Sequence, residues 1–187
     1  MSSGLTLGIG ASLIWVAILF WSDRYPERRL WPPHRGGWVT AIWAWGLTAL
    51  IYVGLIRVCA ADWNVLELPT WIRWILGGGL STWGSVIQTQ GIAALGLKGT
   101  SGWNVGLVTR GAYARRRHPQ YLGQIATLIG IALFAGSVLG WVVVVVGTGA
   151  LLYAAVVEDR FWARRDPEFS NYAKRVGLAP ISGRPQS

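Results

Sequence analysis

The chain has 187 residues, enough for one domain and little more. It is 52% hydrophobic and only 13% charged, against about 25% charged in an ordinary soluble domain, so a water-soluble globule is excluded and a membrane protein indicated. A net charge of +9 fits Lys and Arg gathered in cytoplasmic loops against anionic lipid. It does not indicate nucleic acid, because no groove-reading motif or aromatic-basic platform accompanies it.

Leu5–Trp21 is the first apolar run. It has no basic region before it and no small-residue cleavage site after it, so a retained span is expected. Trp38–Ile56 is an uncharged second span. Trp74–Leu97 is a third, carrying Gly77, Gly78 and Gly79 together with Ser81, Thr82, Ser85, Gln88, Thr89 and Gln90. Glycines at this density allow close helix approach or a kink, and the glutamines are expected to face protein or a water-filled cavity. Tyr121–Val157 is 37 residues without a charge, too long for one crossing of about 20 residues. A turn at Ala135-Gly136-Ser137 divides it in two. The expectation is an all-α polytopic membrane protein with about five transmembrane helices, forming a single membrane domain over 1–187.

The basic residues orient it. Arg24, Arg28, Arg29 and Arg35 lie between spans one and two. Lys98, Arg110, Arg115, Arg116 and Arg117 lie between three and four. Arg160, Arg164, Arg165, Lys174, Arg175 and Arg184 follow the fifth. Only Arg57 and Arg73 fall on the other side. This asymmetry predicts an outside N-terminus and a cytoplasmic C-terminus, with loop three and the tail on one face where they can meet. Trp21, Trp38, Trp71, Trp74, Trp141 and Trp162 are read as interfacial rings at span ends. The last residues, Ser182–Ser187, are expected to fray.

Some chemistries lack their residues. His34 and His118 have no matching Cys or carboxylate cluster, so no metal site is expected. Cys59 is alone and reads as a small buried hydrophobe. Gly8–Ala11 and Gly147–Ala150 resemble fragments of nucleotide-binding glycine motifs but lie inside apolar spans, and read as packing glycines. What remains is the basic stretch Gly106–Gly123, the segment Glu158–Pro180, and the polar lining of span three. Pro119 suits a first helical turn, so the N–H groups of Gln120, Tyr121 and Leu122 are expected to face the cytoplasm, where a helix start attracts an anion. A lipid anchor would explain the arginines but has no need of His118, Tyr113 or Tyr121. Glu158 and Asp159, acids at the end of an apolar helix, must pair or bind something: a salt bridge to Arg115, Arg116 or Arg117, a polar or cationic ligand, or both.

Gly111, Tyr113, Arg117, His118, Pro119, Tyr121 and Gly123 spell G-x-Y-x-x-x-R-H-P-x-Y-x-G. The acidic pair follows about forty residues later, then Tyr172 and Val176 as Y-x-x-x-V, then Pro180. This pattern, from Gln88 to Pro180, resembles the isoprenylcysteine carboxyl methyltransferase and phospholipid methyltransferase superfamily of integral membrane enzymes. The chain departs from it at Asp159, where the family has a second glutamate, and at Phe169, where tyrosine is common. The resemblance implies a catalytic core over 88–180 and S-adenosylmethionine as cofactor. It implies cofactor contacts from Leu107, Val108, Tyr113, His118, Pro119, Tyr121, Gly123 and Glu158. Glu158 and Arg117 would serve catalysis, and Gln88, Asp159 and Tyr172 would meet the acceptor. A lipid-like acceptor, a phospholipid amine headgroup or a prenylcysteine-like carboxylate, would enter from the bilayer to a cytoplasmic site. Two alternatives stay open: an NADPH-dependent membrane reductase, with Arg115–His118 clasping a 2′-phosphate, and a non-enzymatic lipid-binding protein.

Overall fold

The computed structural model describes residues 2–177 and shows helices but no strand among them. Helix α1 (Ser2–Arg24) and α2 (Trp38–Ala61) form an antiparallel pair joined by a short loop with a 3-10 turn at Pro26–Arg28. A brief α3 (Thr70–Ile72) runs through a π-helical stretch, Arg73–Gly78, into α4 (Gly79–Thr100). A loop with a 3-10 turn at Gly111–Ala114 leads to α5 (Pro119–Ala135). Helix α6 (Val138–Arg165) follows, and a short α7 (Phe169–Arg175) ends the described chain. Pro180, Arg184 and the final residues lie outside the described part.

The hairpin between α5 and α6 turns where the sequence places it. Gly136 adopts φ +60, a left-handed conformation that costs glycine nothing, and Ser137 caps α6 by accepting from the Gly140 N–H at 2.8 Å. Other boundaries differ from expectation. The first two helices overrun their apolar runs, so Arg57 lies within α2 rather than in a loop. Helix-forming residues beside an apolar run extend the hydrogen-bonded ladder past the point where hydropathy ends.

Three helices are long and apolar enough to cross a membrane by length and composition: Ser3–Arg24, Trp38–Ala61 and Val138–Arg165. Pro119–Ala135 is apolar but shorter. The glycines set how closely these helices approach. A Cβ on Gly123 would stand 2.5 Å from the Gln88 nitrogen and from the Gly84 carbonyl, and one on Gly77 would stand 2.4 Å from the Phe134 nitrogen. Backbone therefore meets backbone where α4 crosses α5, as small residues allow in membrane helices. Gly8 packs against Val143 and against Gly54 in the same way. Helix α4 breaks at Gly96 (φ 78, ψ 160), which swings its last turn over the end of the bundle.

The polar side chains of α4 are largely satisfied within the helix. Thr82, Ser85 and Thr89 donate to the carbonyls four residues earlier at 2.8–2.9 Å. Gln90 is exposed, contrary to the expectation that it faces protein or a cavity. One helical face cannot hold every polar residue in this run, and α5 covers the side that carries Gly84, Ile87 and Gly91.

The core lies between α1, α2, α5 and α6. It centres on Leu55, Val58, Leu128, Ala132, Val143 and Val144. A second cluster around Trp15, Leu19, Trp31, Ala150, Ala154 and Val157 carries it toward the loop between α1 and α2.

Candidate functional site

At the end of the bundle where α5 begins and α6 ends, a cavity of about 150 Å³ opens into a wider cleft, about 1230 Å³ of empty space once its mouth is included. Of the three segments that the sequence singles out, the basic stretch and the tail segment reach it, through Gly106–Val108, the start of α5, the end of α6 and α7, whereas Gln88 and Gln90 of α4 do not line it.

The chemistry turns on two adjacent acids. Glu158 and Asp159 stand one turn or more above the helix end, so both carboxylates face the α5 start. His118 precedes α5 as its N-cap residue, and its side chain is only 8% exposed. Its Nε2 lies 2.8 Å from Asp159 Oδ1 and its Nδ1 lies 3.5 Å from Glu158 Oε2. Arg117 Nη1 holds the other Asp159 oxygen at 3.0 Å. Tyr121, stacked on the His118 ring at 5.7 Å, donates its hydroxyl to Glu158 Oε1. Trp31 donates its indole N–H to the same oxygen at 2.8 Å.

Burial alone would pull the His118 pKa down. The bonds to Asp159 and then Glu158, with their charges, outweigh it and lift the value to about 9. The ring is therefore an imidazolium at neutral pH, donating from Nε2 to Asp159 and forming a looser ion pair with Glu158 through Nδ1. Burial, followed by the Glu158 charge, pushes the Tyr113 phenol up, so that group stays neutral. Tyr113 is held from two sides: its hydroxyl accepts from Gln120 Nε2 at 3.1 Å, and its carbonyl accepts from the Tyr172 hydroxyl at 2.7 Å. With the Arg117 N–H to Gly177 carbonyl bond at 3.3 Å, this clasps α7 onto loop three, so tail and loop meet.

The structure brings Leu107, Val108, Tyr113, Arg117, His118, Tyr121, Glu158, Asp159 and Tyr172 to one cavity. It places three other candidates elsewhere. Gly123 and Gln88 sit at the α4–α5 contact, and Pro119 is buried against Gly91. All three lie at the α4–α5 contact rather than on the cavity wall. Of the three N–H groups at the α5 start, that of Leu122 already donates to the His118 carbonyl at 3.1 Å. Trp162, read as an interfacial ring, lines the cavity and packs on Phe169, Tyr172 and Val176.

Sequence reasoning missed Trp31. It comes from the loop between α1 and α2, is 7% exposed, and meets Trp15 at a tilt and Trp43 edge-on, with ring centroids 5.3 and 5.9 Å away. Its backbone N–H and that of Leu30 both donate to Ser22 Oγ at 3.0 Å. Ser22 thus fixes the loop that delivers the indole. The only local signal is a tryptophan beside Pro32 and Pro33 in an otherwise basic loop.

Among the described residues, no group of three or more His, Cys, Asp or Glu is placed to hold a metal ion. A helical bundle with membrane-length apolar helices is the architecture of an integral membrane protein, and this one carries a charged, aromatic-walled cavity at one end. The chain belongs to the phospholipid methyltransferase family, a family of membrane methyltransferases, whose description matches residues 72–165. It is similar to two curated proteins. One is the cobalt-zinc-cadmium resistance protein CzcN of Cupriavidus metallidurans, 32% identical over 70% of this chain and 67% of that protein. The other is the nickel-cobalt-cadmium resistance protein NccN of Alcaligenes xylosoxydans xylosoxydans, 35% identical over 37% of this chain and 33% of that protein. No solved structure matches.

Proposed function

We propose that this chain is an S-adenosylmethionine-dependent methyltransferase acting on a lipid-like acceptor at the cytoplasmic face, with its catalytic core over 88–180. The observation that carries the reading is the convergence of Arg117, His118, Tyr121, Glu158 and Asp159 on one cavity in a chain of this family. The excess of Arg and Lys at the same end supports a cytoplasmic site with the N-terminus outside, and the long apolar helices around it support a multi-pass protein.

The residues fit the cofactor. Arg117 Nε is shielded from solvent and has no acceptor, as a donor waiting for a carboxylate would be. Arg117, the His118–Tyr121 helix start, Tyr113 and loop residues Leu107 and Val108 would hold the amino-acid and adenosine parts. Glu158 would hold a ribose hydroxyl or offset the positive charge. Trp31, Phe161 and Trp162 would supply aromatic faces. The bound cofactor supplies an electrophilic methyl group, and displacement requires only an in-line nucleophile held at close range.

The chain's own part is orientation and charge. His118, protonated, fixes Glu158 and Asp159 in place and is no base at neutral pH. Asp159, bonded to both Arg117 and His118, orients them. Glu158 keeps acceptor capacity at Oε2 and can hold the polar end of the acceptor. The inner cavity wall of Ala44, Thr48, Leu95 and Leu151 suits the apolar remainder, admitted laterally from the bilayer.

The test is transfer of labelled methyl from S-adenosylmethionine into organic-extractable lipid by protein in native membranes, compared with Glu158→Gln. Label that depends on Glu158 supports the reading. No label above empty membranes, with folded protein present and phospholipid and prenylcysteine acceptors supplied, contradicts it.

A further inference from the structure

A second cluster lies just outside the cavity wall. Arg29, in the loop between α1 and α2, sits 4.2 Å over the Phe161 ring, and Arg165 reaches the same ring at 5.4 Å. Phe161 itself lines the cavity. Arg29 is half-buried, and its Nε is shielded from solvent with no hydrogen-bond partner. Its Nη2 makes one long bond, 3.4 Å, to the Trp31 carbonyl. Arg164 completes the group at the end of α6. Burial, then the charge of Arg164, lowers the Arg29 pKa; Arg165 adds to the lowering, and the charges of Glu158 and Asp23 oppose it.

The nearby acids are engaged elsewhere. Asp23 pairs with Arg160. Glu158 receives Trp31 and Tyr121. Asp166 Oδ1 receives the Glu168 N–H at 2.9 Å. No acid lies within salt-bridge distance of Arg29, Arg164 or Arg165 among the described residues. Glu158 and Asp23 offset the Arg29 charge only from beyond ion-pair distance. Like charges without a direct partner repel, and a shielded unpaired N–H carries a desolvation cost. Both are relieved by one anion with several acceptor oxygens, and guanidinium forks match phosphate geometry.

We infer that Arg29, Arg164 and Arg165 form a phosphate-binding site at the rim of the cavity, behind Phe161 and Trp31. The ligand is a phosphate group, carried by a phospholipid headgroup or by the free ion. Because Trp31 touches Arg29 through its carbonyl and Glu158 through its indole, a lipid phosphate held here leaves its headgroup substituent beside the acids. That orienting role rests on the methyl-transfer reading, whereas the binding itself does not.

The experiment is native mass spectrometry of the detergent-purified protein with dioleoylphosphatidate, and with dioleoylglycerol as the phosphate-free lipid. No cofactor or turnover is needed, so its outcome is independent of the methyltransferase reading. Phosphatidate is expected to bind in preference to dioleoylglycerol. Arg29→Gln is expected to weaken it about tenfold, the scale of one charged hydrogen bond, while Arg110→Gln, an exposed change at the same end, leaves it unaltered. Competition by inorganic phosphate would identify the free ion as a sufficient ligand; its absence would assign the site to the lipid headgroup. Equal affinity in wild type, Arg29→Gln and Arg110→Gln would overturn the proposal. Should Arg29→Gln fail to fold, the exposed double change Arg164→Gln with Arg165→Gln decides: a similar loss supports the site, and unchanged affinity overturns it.

Discussion

The two ends of the bundle both hold acids within the fold, Asp62 at one and Glu158 with Asp159 at the other, and they use them differently. At the end where α2 finishes, Asp62 Oδ2 accepts from the Ser137 hydroxyl and the Leu139 N–H, both at 2.8 Å. Those bonds hold its carboxyl below the usual carboxylate range, and they tie α2 to the start of α6. The acid is consumed by backbone and helix cap, and the adjoining turn is stitched by bonds from Asn64 and Leu66 to Ala135 and Gly136 at 2.7 and 3.0 Å. At the other end, Glu158 and Asp159 are held by side chains from three separate elements around a cavity. An acid satisfied by a helix start is a fastener. Acids held by side chains from several elements, beside a guanidinium whose Nε has no partner, mark a candidate site.

Substitutions at the two ends should therefore separate binding from stability. The largest effect expected is from Glu158→Ala, which should cut affinity for the demethylated cofactor product by about tenfold to a hundredfold, the scale of a lost charged hydrogen bond. Calorimetry reads it directly. Gly123→Ala sharpens the contrast with packing. Its Cβ would press on the α4 backbone, and overpacking costs about 1–3 kcal/mol. Thermal unfolding in detergent should fall accordingly. Asp62→Asn should cost about 1 kcal/mol through the weakened cap, lowering the unfolding midpoint while product affinity stays unchanged. A parallel loss of affinity there would break the comparison.

The acid–imidazolium contacts also set a pH dependence. The His118 pKa is raised above its unfolded value, so its stabilising contribution is complete below about pH 6.5 and disappears as pH rises through about 9. Unfolding midpoints should decline across that window in wild type, and His118→Asn should flatten the decline. The smallest effect is expected from Gln90→Leu, an exposed change that should stay within about 0.5 kcal/mol.

Much of the fold was legible because it depends on local signals. Apolar length gave the long helices, and Gly136 with Ser137 gave the hairpin between α5 and α6. The candidate cluster was legible where its residues are close in sequence, from Tyr113 to Tyr121, and where an acid pair ends an apolar helix. Trp31 was not, because its value arises from contact with residues about ninety and more positions away. Gln88 and Gly123 show the reverse case. Their spacing suggests a site, but the close crossing of α4 and α5 needs a bare backbone there and places both outside the cavity. Gln90 misled because polarity says that a side chain needs a partner without saying which face it occupies.

The most direct test is calorimetric titration of S-adenosylmethionine and its demethylated product into the detergent-purified protein, with His118→Ala beside wild type. Saturable binding of both to wild type is expected, weakened at least about tenfold when the imidazolium that holds Glu158 and Asp159 is removed. Absence of binding to folded wild-type protein, or binding indifferent to His118, would contradict the cofactor-site reading.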